Sequence, residues 1–242
     1  MSKFEVVFTV NSHDTDKNGN LYPSTALRYL HEAANLQLDS THPTMDELRY
    51  GQKKAFILSR ASMTLSRPLH KNERVLASTW AGGGKAATFY RCGELIADGE
   101  VVGKLVSLWA LVDLDTRKLC RVRDTELGVD TLEEYPLDIP AHVRFPEGLV
   151  FEEVGKRRVY NSDIDLNGHM NNTNYPDMFC DFIENIENLT VTSFVIGYVH
   201  EARLHETLTV YHASVGDTHY LYTERADGSR NAEAVIVTEA AV

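Results

Sequence analysis

The chain has 242 residues, ample for a large core, and its 43% hydrophobic and 24% charged residues exclude disordered and fibrous architectures. A net charge of −11, from 24 Lys+Arg against 35 Asp+Glu, argues against nucleic acid or an anionic membrane as partner. No apolar run approaches the roughly 20 residues that cross a bilayer, and Met1-Ser2-Lys3-Phe4-Glu5 has no signal or transit character, so a cytoplasmic protein is expected.

In chain order, residues 4–10 alternate and are rich in β-formers, which predicts a strand. An Asp/Asn/Gly turn follows, and then Ser24 to Leu38 places Ala26, Leu27, Leu30, Ala33, Ala34 and Leu38 at helical spacing. Four strands are predicted next, at about 55–65, 73–81, 86–95 and 101–114, with Gly82-Gly83-Gly84 and Ala97-Asp98-Gly99 as turns between them. The Tyr135-to-Pro146 stretch, with Pro136, Pro140 and Pro146, lacks periodicity and reads as a linker. Beyond it the order returns: a strand from Leu149 to Tyr160, a turn, a helix from about Thr173 to Ile186 with Pro176 in its first turn, and strands near 191–203, 206–215, 218–226 and 233–240.

The two turns are copies of one frame. Asp14, Asp16, Asn18 and Gly19 recur 149 residues later as Asp163, Asp165, Asn167 and Gly168. His169 has no counterpart, because Asn20 stands in its place. Each half is therefore one helix plus a run of antiparallel strands, and a helix this apolar must be wrapped by its sheet to hide its stripe. The expected fold class is a duplicated α+β unit, with one fold used twice and one site. The units are residues 1–134 and 149–242, joined by a linker at 135–148.

Asx and Gly residues are what a strand-to-helix turn wants in any case, so turn chemistry accounts for Asp14, Asp16, Asn18 and Gly19 completely, and for Asp163 and Gly168 as well. His169 and the Asn171-Asn172 pair exceed that need. An imidazole titrates near neutral pH, and beside Asp165 and Asn167 it is a candidate general base. Unpaired N–H groups at a helix start would polarise a carbonyl placed there, an arrangement suited to thioester cleavage, with an apolar slot for an acyl chain between helix and sheet.

A further carboxylate is needed, and Glu201 is the candidate. In a strand it would share the face of Val195, Gly197 and Val199, where a carboxylate is costly unless paired or useful. The alternative for Glu201 is an edge-strand charge paired with Arg203. Cys92, Cys120 and Cys180 are an odd, widely spaced set that suits neither disulfides nor a zinc site. Cys180, eleven residues after His169, reads as a small buried hydrophobe rather than a nucleophile. Basic clusters at Lys53-Lys54, at Arg67 to Arg74 and at Lys156-Arg157-Arg158 are candidate patches for an acidic partner, or else solvated strand ends.

The run Asp163-Ile164-Asp165-Leu166-Asn167-Gly168-His169-Met170-Asn171-Asn172-Thr173-Asn174-Tyr175 resembles the motif Asp-Leu-Asp-x-Asn-x-His-x-Asn-Asn-x-x-Tyr of the plant-type fatty acyl-acyl carrier protein (acyl-ACP) thioesterase family. Ser78-Thr79-Trp80, Ser107 to Asp113 and Thr116-Arg117-Lys118 extend the likeness over nearly the whole chain, which looks like a bacterial member. The resemblance implies a double hotdog, each unit a long helix wrapped by a curved antiparallel sheet. Its N-terminal unit would house the acyl chain and its C-terminal unit would be catalytic. It also implies hydrolysis of fatty acyl-ACP to free fatty acid, with Asp165, Asn167, His169 and Glu201 at the active site. The implied partner is an acyl carrier protein with its chain on 4'-phosphopantetheine; no cofactor or metal is implied, and a homodimer is left open. One departure is Ala202, where the family commonly has Cys, so a mechanism needing a thiol there cannot apply.

Rival readings are an acyl-coenzyme A thioesterase, a double-hotdog hydratase or dehydratase, and an acyl-binding module without chemistry. The hydratase motif Asp-x-Asn-Pro-x-His sets His five residues after Asp. Here His169 is four after Asp165, and no Pro follows Asn167.

Overall fold

The computed structural model describes residues 3–132, 134–135, 138–140 and 142–241. Among these residues ten strands form one antiparallel sheet: β1 (Phe4–Thr9), β2 (Lys54–Leu65), β3 (Arg74–Lys85), β4 (Thr88–Ala97), β5 (Glu100–Asp113), β6 (Glu152–Arg158), β7 (Leu189–Tyr198), β8 (Thr207–Val215), β9 (Thr218–Glu224) and β10 (Arg230–Ala240). Their spatial order is β1-β3-β4-β5-β2-β7-β10-β9-β8-β6. Read outward from the middle, the two halves have the same strand order, so the duplication seen in the turns extends to the topology. The join is β2 against β7, paired from Arg60↔Gly197 to Thr64↔Ser193.

In the first half the helix α1 runs from Pro23 to Asp39, and its proline occupies the first turn, where no intrahelical N–H is needed. Ala26, Leu27, Leu30 and Ala33 face the sheet and are 0–1% exposed. Each large side chain among them contributes roughly 1.5–3 kcal/mol by leaving water. Gly93 on β4 permits the close approach, since a Cβ there would fall 2.8 Å from a Leu30 methyl. Phe8 stacks on Tyr29 at 4.4 Å, fixing β1 against the same helix.

The second half departs from expectation at its helix. Instead of a helix over 173–186, a 3-10 turn at Asn172–Asn174 leads into α2, only Tyr175–Cys180, followed by turns and a 3-10 segment at Ile186–Asn188. The apolar spacing that suggests a longer helix is nevertheless used, for Tyr175, Met178, Phe179 and Ile183 are all buried. Polar residues with short side chains interleave with them, and Asn185 adopts the left-handed conformation (φ 57°), which a helix interior does not tolerate. The flanking strand is also shorter than predicted, β6 covering only Glu152–Arg158.

Gly82-Gly83-Gly84 is not a turn. β3 continues through it to Lys85 with a bulge between Ala81 and Gly84, and the reversal falls at Ala86-Ala87. A Cβ on Gly82 would lie 2.9 Å from the Tyr135 ring, so the glycines make room for the chain that crosses the sheet's outer face. There Ile139 joins Trp80, Cys92, Val106 and Leu108 in a small buried cluster, and the Trp80 indole N–H donates to the Glu134 carbonyl at 2.8 Å. The described residues of the 135–148 stretch form neither helix nor strand, and Pro136 lies outside them.

The halves also meet through their helices. The Ser24 amide, an orphan donor at the α1 start, donates to Asp177 Oδ1 at 2.9 Å, and the Ser24 hydroxyl donates to the same carboxylate. In the opposite sense Arg28 donates to Thr173 Oγ1 at 3.3 Å and to Asn174 Oδ1 at 2.7 Å. By the 149-residue offset Ser24 corresponds to Thr173 and Arg28 to Asp177, so the two contacts are the same pairing made in both directions.

Candidate active site

The two Asx turns are built from the same bonds. Asp165 Oδ1 accepts from the Asn167 amide at 2.8 Å, the Gly168 amide donates to Asp165 O at 3.0 Å, and the Asp165 amide to His169 O at 3.0 Å. In the first copy the Asn18, Gly19 and Asp16 amides donate to Asp16 Oδ1, Asp16 O and Asn20 O at 2.8, 3.1 and 2.8 Å. Gly19 and Gly168 share a φ of 82°, which explains the glycine in both. Asp163 is a structural member: its carboxylate accepts from Arg157 and from the Tyr160 amide at 2.7 and 2.8 Å.

The difference lies in the residue after the glycine. His169 places Nδ1 3.9 Å from Asp165 Oδ1 and Nε2 3.9 Å from Glu201 Oε1, so a carboxylate faces each ring nitrogen. Both separations exceed direct hydrogen-bond length but lie within reach of a small rotation or one bridging water, as is common before substrate binds. The imidazole is 18% exposed and the Glu201 carboxylate 55%, which leaves the Nε2 side open to solvent and substrate.

Glu201 arrives there by a route the sequence does not suggest. β7 ends at Tyr198, so Glu201 lies in the loop beyond it and strand alternation does not place it. The loop is held by the Met170 amide, which donates to Ala202 O at 2.8 Å, and by a bridge between His169 and Arg203. These contacts bring Glu201 opposite His169. Arg203 does not pair with Glu201 among the described residues; its amide donates to Glu206 at 2.8 Å. Ala202 is 1% exposed, a packing position.

Asn167 is exposed, with its side-chain oxygen accepting from Arg49, a residue of the other half in the π-turn Glu47–Gly51. No motif points to Arg49. The expected row of free N–H groups at the helix start is not present. Thr173 donates to Asn171 Oδ1, Asn174 to Asn171 O and Tyr175 to Asn172 O, so these three amides are already spent. Asn171 is thus a cap rather than a catalytic group. Cys180 is buried, and burial pushes its thiol well above the ordinary range, which removes it as a nucleophile.

Asp165, Asn167, His169 and Glu201 lie on one cleft of about 1850 Å³ that continues into the first half. There its wall is aromatic: Phe56 meets Phe89 edge-on at 5.3 Å and Trp109 at 6.4 Å. Seven cations (Arg28, Arg49, Lys54, Arg91, Arg117, Arg203 and Arg225) line it against five carboxylates (Glu32, Asp39, Asp46, Asp165 and Glu201), a modest positive balance on an acidic protein. Of the basic clusters noted in the sequence only Lys53-Lys54 contributes, through Lys54.

Ten strands in two like halves, with helix packed against sheet in each, are the double hotdog, and the solved structures that resemble it share that fold. An acyl-ACP thioesterase from Bacteroides thetaiotaomicron aligns with a TM-score of 0.86 at 20% identity, over 97% of each chain. The 12:0-ACP thioesterase from Umbellularia californica aligns with a TM-score of 0.80 at 17% identity, over 99% of this chain and 98% of that one. A comparison with curated protein sequences finds no match. The likeness to these two solved structures shows the fold class, the double hotdog. The acyl-ACP thioesterase N-terminal domain model matches residues 1–128 and the C-terminal domain model residues 152–239, and the chain belongs to the acyl-ACP thioesterase family.

Proposed function

We propose that His169, set between Asp165 and Glu201, activates the water that cleaves a fatty acyl thioester carried by the acyl carrier protein. Free fatty acid and the holo-carrier leave, and chain elongation ends. The observation that carries this reading is the pair of 3.9 Å approaches, one carboxylate to each imidazole nitrogen, on a cleft that runs into an aromatic interior. Asp165 on the Nδ1 side orients the ring and supports the cation that forms when Nε2 takes a proton. Glu201 on the Nε2 side holds the water or shares its proton. Asn167, tied to Asp165 and Arg49, fixes the turn against the opposite half.

In the same reading residues 1–134 house the acyl chain, 135–148 connect, and 149–242 supply the catalytic groups. Both walls of the cleft come from one chain, so the chemistry requires no homodimer. The phosphopantetheine arm would enter past the cationic rim, which favours an acidic carrier protein. Among the described residues no helix is long and apolar enough to cross a membrane.

The test is steady-state hydrolysis of a panel of acyl-ACPs by the wild type, His169→Ala and Glu201→Gln. Losses in kcat of about 10²–10⁴-fold are expected for His169→Ala, the range a positioned acid-base group supplies. Wild-type turnover on acyl-ACP that weakens with salt more steeply than turnover on acyl-coenzyme A supports the carrier protein as substrate. The reverse order supports coenzyme A.

A further inference from the structure

The first half of the cleft is not wholly apolar. Along β4, Phe89, Arg91, Gly93 and Leu95 alternate toward α1, while Cys92 lies in the cluster on the outer face. Arg91 is therefore an arginine in the helix-facing phase of a central strand, and it is 8% exposed. Its guanidinium donates to Gln37 Oε1 on α1, and among the described residues no carboxylate lies within ion-pair distance of it. His31, six residues before Gln37 on α1, packs on Trp109 with ring centroids 5.4 Å apart. Its Nε2 is enclosed and has no hydrogen-bond partner. Arg91, His31 and Trp109 all line the cleft.

A buried cation without a counter-ion and a buried imidazole nitrogen without a partner are each costly to keep. An aliphatic chain lying against them leaves that cost in place. A ligand oxygen reaching them removes it: the guanidinium has N–H groups to donate, and the imidazole can donate or accept according to its tautomer. Burial and the neighbouring Arg91 push the imidazole down to about pKa 4, so it stays neutral and free to take either role at neutral pH.

We infer that Arg91 and His31 form a polar subsite in the acyl slot that selects fatty acyl chains bearing an oxygen function, a hydroxyl or oxo group, along the chain. The inference rests on the thioesterase reading of the same cleft. Discrimination of this kind is strong when a site's buried polar groups go unpaired with the wrong substrate, because the analogue lacking the oxygen cannot repay their desolvation.

The experiment compares kcat/KM of the wild type on acyl-ACPs of one chain length, unsubstituted or carrying a hydroxyl or oxo group walked along the chain. At one position the oxygenated chain is expected to be preferred by on the order of 10²-fold. Arg91→Met, close to the native volume, and His31→Phe, a somewhat larger ring, each remove one of the two buried polar groups and are expected to reduce that ratio toward one. Folding is followed by circular dichroism, and the two variants report independently should one fail to fold. Equal rates at every position, a preference for the unsubstituted chain, or a preference that survives in both variants overturns the inference. Absence of hydrolysis of every acyl-ACP would instead strike the thioesterase reading itself.

Discussion

At the scale of single residues, the candidate site differs from its copy by the residue that follows the turn glycine. Asn20 and His169 occupy the same place in two turns that share three hydrogen bonds, and only the latter carries a base. Asn171 illustrates the opposite case, a residue the motif marks but whose work is structural. Its Oδ1 accepts from both the amide and the hydroxyl of Thr173 at 2.9 Å. Asn171→Ala should cost about 1 kcal/mol of stability in urea titration, the usual loss of a cap, with a shift in midpoint and no change in slope. His31 gives a pH signature. Its folded pKa of about 4 lies below the ordinary 6.5, so between those values the unfolded chain binds more protons than the folded one. Stability should therefore fall as pH drops from about 6.5 toward 4, by up to roughly 3 kcal/mol from this group. His31→Phe should flatten that part of the profile; an unchanged slope would show the imidazole already protonated or exposed.

At the scale of elements, the strands and α1 were legible because their periodicity is enforced by burial on one face. Phe4 to Thr9 alternates and α1 carries its stripe, and both begin and end within about one residue of expectation. The second helix was not legible. Its apolar residues are buried as a helix would bury them, but a run of turns does so equally well, and periodicity cannot distinguish the two. The reciprocal pairing of Arg28 and Asp177 across the halves was hidden for another reason: it depends on which residues of two copies meet, not on either copy alone. Burial raises the Asp177 carboxyl above its ordinary range while it accepts from Ser24. Asp177→Ala should lose about 1–2 kcal/mol by orphaning the Ser24 amide, whereas Asp177→Asn, which keeps an acceptor and removes a buried charge, should lose far less. Equal losses in thermal melts would contradict this account of the contact.

At the scale of the whole molecule, β2 and β7 merge two five-stranded sheets into one, and the cleft takes its walls from both halves. Cleavage of the chain between residues 135 and 148 should leave the halves associated and unfolding in a single transition, since separating them exposes both strand edges and the α1 and α2 contact. Two resolved transitions in calorimetry would mean independent halves. The duplication is plain in the sequence, and three of the four candidate site residues are named there together because they sit in one contiguous turn. Glu201 is nominated by a strand phase that the structure does not bear out and by family likeness, and its true position depends on a loop beyond β7 held by the Met170 to Ala202 bond and the His169 to Arg203 bridge. In the proposed mechanism one imidazole flanked by two carboxylates does the chemistry. The most direct test is single-turnover cleavage of acyl-ACP by wild type and by His169→Ala of verified fold. A rate reduced by about 10²–10⁴-fold is expected in the variant, with acyl-ACP still bound. An unchanged rate in the variant would contradict the mechanism.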